Sequence, residues 1–161
     1  MVTQVILLIV GIVCLVAALA LTLLPRWVAA VPAWCGLLLL HLSYFIAVPT
    51  TSLIFWGICA LIVTGLWYMQ PHGEPDGHRE SNLYIGFSAM AGGLLGMIVG
   101  PRILILGVVL GAFIGQMAYS RTPAGKWLTT DNFLRYFCAK CLPAIVSIAI
   151  VCIAIEGLII D

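Results

Sequence analysis

Along this chain apolar and polar positions separate into whole segments. Breaking it at proline, glycine and charge clusters leaves apolar runs at 5–24, 33–48, 52–69, 83–99, 103–119 and 141–160. At 1.5 Å rise per residue, even the shortest comes near the ~30 Å of a bilayer core. The pattern predicts an all-α membrane protein of about six transmembrane or re-entrant helices. Pro25-Arg26 ends the first run, and Pro49-Thr50-Thr51-Ser52 offers a turn whose hydroxyls can cap the third. The only strongly polar loop, Gln70 to Glu80, holds two prolines and two glycines that exclude helix. Ser81 or Asn82 then caps the fourth segment, and Asp131 or Asn132 caps an interfacial start to the last. The organisation that follows is an N-terminal three-helix half at 1–70, a polar loop at 71–82, and a C-terminal half at 83–161.

Composition excludes the alternatives. The 161 residues are 63% hydrophobic and 8% charged, with a mean hydropathy of +1.19, whereas a soluble domain carries about 25% charged residues. The partner implied is the lipid bilayer. A net charge of +1 lacks the concentrated basic patch that nucleic acid requires. The run from Val5 to Leu24 has no Lys or Arg ahead of it and is longer than a signal-peptide core, so it is expected to be a retained first helix. Cys14, Cys35, Cys59 and Cys152 sit inside apolar runs, where a free cysteine acts as a small hydrophobe.

Charge placement orients the chain. Arg26, Arg79, Arg121, Lys126, Arg135 and Lys140 fall on one side of a six-span arrangement and Arg102 alone on the other. Cytoplasmic loops keep positive charge during insertion, so loops one, three and five are expected in the cytoplasm and both termini outside it. Whether 83–119 spans fully or is re-entrant changes only the position of Arg102.

Half of the glycines, eight of sixteen, lie within one stretch: Gly86, Gly92, Gly93, Gly96, Gly100, Gly107, Gly111 and Gly115. Gly92, Gly96 and Gly100 are four apart, as are Gly107, Gly111 and Gly115, so each trio marks a flat stripe on one helix face. The simplest geometry folds the two stripes together about a turn at Gly100, Pro101 and Arg102. A stripe facing a second subunit is the alternative.

The stretch Gly-Gly-Leu-Leu-Gly-Met-Ile-Val-Gly-Pro, followed by Leu-Gly-Val-Val-Leu-Gly-Ala-Phe-Ile-Gly-Gln, stands behind an uncharged first helix, an apolar hairpin and a short polar loop. In this arrangement the chain resembles a bacterial family known as domain of unknown function four hundred and fifty-six. The resemblance covers nearly the whole chain and implies a multi-pass protein of the bacterial inner membrane, without implying an activity. Members usually carry Glu where this chain has Gln116.

Polar side chains at membrane depth are costly, by ~2.5–3.5 kcal/mol for a charge at a helix centre, and so are candidate sites. They are His41, mid-way along the second segment, Gln116 near the end of the fifth, and Glu156 one turn from the end of the sixth. His41 can be satisfied by a hydroxyl such as Ser43 or Tyr44, or can contact a proton path or a ligand. Glu156 can snorkel to interfacial water or pair with Arg102. Cys138-Ala139-Lys140-Cys141 is a lone CxxC whose thiols are expected on one helix face. With His72 and His78 they could form a four-coordinate shell, but structural thiols are the expectation and no metal or cofactor is assigned.

No nucleophile elbow, zinc-protease helix or phosphate loop occurs, so no catalytic residue is expected. The primary functional expectation is a structural or scaffold bundle that self-associates or docks another membrane protein through its glycine stripes. A small transporter or channel with a broken or re-entrant Gly-Pro hairpin is the alternative.

Overall fold

The computed structural model describes residues 1–23, 28–68, 78–126 and 128–160, with the backbone alone at 78–82, 101, 131, 132, 139, 140 and 160. Arg26, the loop residues up to 77 including His72, and the side chains of His78, Arg79, Pro101 and Lys140 therefore lie outside the described residues.

The described residues form seven α-helices: α1 Val2–Thr22, α2 Ala30–Leu42, α3 Thr50–Tyr68, α4 His78–Val99, α5 Pro101–Ser120, α6 Thr130–Tyr136 and α7 Leu142–Ile160. A 3-10 turn, Pro123–Gly125, follows α5, and a π-helical turn, Phe137–Cys141, joins α6 to α7. Four stretches are long and apolar enough to cross a membrane: Val2–Thr22, Thr50–Tyr68, Arg102–Ser120 and Leu142–Ile159. Two apolar helices are shorter, Ala30–Leu42 and Leu83–Val99.

The second segment departs from the expected 33–48. Helix α2 begins three residues earlier and ends at Leu42, giving 13 residues and about 20 Å of rise, short of a bilayer core. It stops because the Ser43 hydroxyl donates to the Leu40 carbonyl at 2.6 Å and Tyr44 takes a φ of 60°, which turns the chain out of a right-handed helix. Proline at 49 then disfavours helical backbone at Val48. His41 therefore sits in the last turn of α2 and not mid-span. The N–H groups of Ser52 and Leu53 bond to the Pro49 carbonyl at the start of α3.

Two other boundaries also move. Helix α4 starts at His78, ahead of the cap expected at Ser81 or Asn82, because no proline or glycine interrupts the chain after Gly77. Helix α6 takes Thr129 as its N-terminal flanking residue in place of Asp131 or Asn132.

Buried side chains gather in two clusters. One joins α1, α2 and α3 through residues such as Leu15, Leu37, Leu40 and Trp56, and the other joins α4, α5 and α6 through Ile85, Leu104, Val108 and Tyr136. Helix α7 belongs to both. Its Val146, Ala149, Ile150 and Ala154 enter the first cluster, while Ala144, Ile145, Ile148 and Cys152 enter the second. A helix apolar all round is suited to such a position. The Ser147 hydroxyl adds a bond to the Ala29 carbonyl at 3.4 Å.

Candidate functional site

The closest approach of one helix backbone to another lies between α4 and α5. The chain reverses at a single residue, Gly100, whose φ of 149° is open only to glycine without strain. Its N–H bonds to the Gly96 carbonyl, and its own carbonyl accepts from Ile103 and Leu104. Pro101, with its fixed φ and no N–H, opens α5 at the first helical position. Arg102 is exposed in the first turn.

Beyond the turn the two helices run antiparallel with almost no side chain between them. A Cβ added at Gly92 would strike the Gly107 carbonyl, and one at Gly107 the Gly92 carbonyl. At Gly96 it would lie 2.7 Å from the Leu104 Cα. At Gly111 it would strike the Ser88 carbonyl, and at Gly115 it would meet the Ser88 hydroxyl and the Tyr84 carbonyl, the latter at 2.6 Å. All of these distances are below real Cβ contacts, so only glycine permits the approach. Where no hydrophobic effect drives helices together, such van der Waals contact and weak Cα–H···O bonds supply the attraction.

The contacting face of α4 is Ser88, Gly92 and Gly96, while Gly100 is drawn into the turn. Ser88 serves as a small residue because its hydroxyl folds back onto its own helix, donating to the Tyr84 carbonyl at 2.6 Å. It went unrecognised in the sequence, although small-xxx-small spacing from Ser88 to Gly92 was the available signal. Gly93 and Gly86 meet side chains instead of backbone. A Cβ at Gly93 would lie 2.9 Å from Val108 and 3.1 Å from the Cys152 sulfur of α7, and one at Gly86 would lie 2.9 Å from Leu23. These two seat neighbouring elements against the hairpin.

At the other end of α5, Gln116 is fully buried. Its Nε2 donates to the Phe133 carbonyl at 2.8 Å, and its Oε1 accepts from the Cys141 thiol at 3.1 Å. One amide thus holds both α6 and the π-helical turn, with both ends satisfied as a buried polar group requires. Phe113 packs edge-on against Phe133 and Phe137, at centroid distances of 5.5 and 5.9 Å.

The two cysteines of the CxxC differ in exposure. Cys138 is exposed and Cys141 buried, so only one of the two thiols is open to the surroundings. Both lie in the π-helical turn, where the Leu142 N–H bonds to the Phe137 carbonyl and the winding has more residues per turn than an α-helix. Among the described residues no group of three or more His, Cys, Asp or Glu could hold a metal ion.

The chain has been compared with known proteins. It matches no family model, no curated protein and no solved structure.

The remaining polar candidates stay apart. His41 is half-buried and its Nδ1 is buried without a hydrogen-bond partner. The Ser43 hydroxyl expected to satisfy it is committed to Leu40, and Tyr44 is exposed. Glu156 is half-buried near the end of α7, and no ion pair joins it to Arg102 among the described residues. The alternative of a charge pair between them is thus not met, and Arg102 is exposed at the hairpin tip.

The N-terminal half holds contacts that sequence reasoning missed. A Cβ at Gly11 would lie 3.2 Å from the Gly36 carbonyl, and one at Gly36 would lie 3.0 Å from the Gly11 carbonyl, so α1 and α2 also meet glycine to glycine. The signal was the small-residue face Ala29, Ala33 and Gly36 on α2. Between α2 and α3, the Trp34 Nε1–H donates to the Leu53 carbonyl at 3.0 Å, and the indole covers Gly57.

Proposed function

We propose that this protein is a structural bundle of the bacterial inner membrane, a fixed platform for a second copy or for another membrane protein. The observation that supports the reading is the α4–α5 seam, where backbone rests on backbone and no side chain is free to rearrange. Close-packed contacts of this kind resist deformation. The resemblance to the bacterial family is in keeping with it. Because the glycine faces fill each other, association would use the lipid-facing surface, and α1 and α3 have the most of it. The proposed topology keeps the loop around 71–82 and the segment 121–140 in the cytoplasm and both termini outside it.

Two measurements test this reading. Light scattering of the protein in detergent should give a mass above one chain, and a monomer at every concentration would remove self-association. A single cysteine at Thr122, in a background without native cysteines, should resist an impermeant reagent in intact cells. Labelling there would reverse the topology.

One observation favours transport as a second reading. His41 carries an unpartnered buried nitrogen at the end of a short helix, beside non-helical backbone of the kind that lines sites in transporters. A proton-carrying His41 requires that His41→Leu abolish pH-dependent flux in proteoliposomes. Flux that is unchanged, or absent in the parent, leaves the scaffold reading in place.

A further inference from the structure

The chain that follows α5 is held in place through Gly125. The Thr122 hydroxyl accepts from the Gly125 N–H at 3.2 Å and donates to the Tyr119 carbonyl at 2.6 Å. The Tyr119 hydroxyl donates to the Ala124 carbonyl at 3.3 Å. Gly125 is buried so tightly that a Cβ there would strike the Tyr119 carbonyl. Gln116 holds the next element through Phe133, and Tyr136 is buried beside it.

Three cations project from this part of the chain. Arg121, Lys126 and Arg135 are exposed, and none of them forms an ion pair among the described residues. Residues 121–140 contain Arg121, Lys126, Arg135 and Lys140 against one acid, Asp131. Leu134, next to Arg135, is 68% exposed. Arg121 follows directly on the apolar stretch Arg102–Ser120. Cations in reach of headgroups, with a leucine free to enter the acyl boundary, match the polarity of a membrane interface.

We infer that Arg121, Lys126 and Arg135 form a docking face for the headgroups of acidic phospholipids. The inference rests on the membrane-bundle reading, with this end of α5 at a leaflet surface. Each exposed cation contributes attraction to an anionic surface, and internal hydrogen bonds reduce the ordering cost of presenting them together. A zwitterionic headgroup offers no net charge to this face.

Native mass spectrometry of the whole protein from mixed phosphatidylcholine and phosphatidylglycerol micelles tests it by counting retained lipids of each kind. Phosphatidylglycerol should be enriched. The enrichment should fall about fivefold for each cation removed, and so on the order of a hundredfold in R121Q/K126Q/R135Q. R102Q, which removes a cation at the hairpin tip, should leave it unchanged. Equal retention of the two lipids by the parent would overturn the inference and leave the cations to an acidic protein partner. Enrichment that survives in the triple variant, or that falls equally in R102Q, would overturn it too. If the triple variant loses helical circular dichroism, the three single variants carry the test. A parent that never enters micelles as a helical protein contradicts the bundle reading instead, whereas a helical parent without lipid preference contradicts this inference alone.

Discussion

Two helical hairpins in this molecule solve the same problem by different means. In α4–α5 the helices touch through Ser88, Gly92, Gly96, Gly107, Gly111 and Gly115, with main-chain atoms on both sides. In α2–α3 they touch through one indole, which lies over Gly57 and donates to the Leu53 carbonyl. The turns differ in the same way: Gly100 alone reverses the first, whereas residues 43–49 reverse the second. Backbone contact leaves no atom that can move aside, while a side-chain contact can adjust by rotating. The first hairpin should therefore tolerate change far less than the second.

The strongest way to break that contrast is to place a large side chain in the seam. Gly92→Leu and Gly107→Leu should each destabilise by about 3 kcal/mol or more, since overpacking costs ~1–3 kcal/mol even where side chains can yield. Loss of folded yield and a lower melting temperature in detergent would register it. Parent-like melting of both variants would mean that the seam is not close-packed.

Gln116→Ala comes next. It leaves the Phe133 carbonyl without its side-chain donor and the Cys141 thiol without its acceptor in a buried site, which should cost about 2 kcal/mol. Reaction of Cys141 with a membrane-permeant thiol reagent should also speed up as α6 loosens from α5. An unchanged labelling rate would show that Gln116 does not hold the π-helical turn.

In the softer hairpin, Trp34→Phe removes the bond to Leu53 but keeps most of the ring over Gly57. It should cost about 1 kcal/mol, read from the same melts. A loss as large as that of Gly92→Leu would erase the distinction between the hairpins.

The smallest effect belongs to Gly65, where an added Cβ meets nothing within 4 Å. Gly65→Ala should stabilise α3 by about 0.5 kcal/mol through helix propensity. Destabilisation would reveal a neighbour on that face, such as a second copy in the detergent complex.

The two hairpins were unequally legible. Gly100-Pro101 and the four-residue spacings are local features, and they mark a turn and two flat faces before any fold is known. The end of α2 was not legible in the same way. Residues 43–48 are as apolar as the helix before them, and a hydrophobic run does not announce that Ser43 will bond back to Leu40 and Tyr44 adopt a positive φ. His41 was therefore placed mid-span when it stands at a helix end. The π-helical turn at 137–141 was likewise not legible, since an α-helical period was assumed there.

By itself the sequence determined the helical class, four of the six apolar segments it marked as able to cross a membrane and the positions of the sharpest breaks, because these follow from hydropathy and backbone chemistry along the chain. Only the tertiary structure decided which faces meet: Ser88 as the continuation of the α4 stripe, Gly11 against Gly36, Gln116 between Phe133 and Cys141, and α7 as the wall shared by both clusters. The physical reason is that periodicity defines a face on one helix but carries no information about its partner. In α7 apolar residues occupy every side, so its central position could emerge only from the packing of α1 to α5 around it.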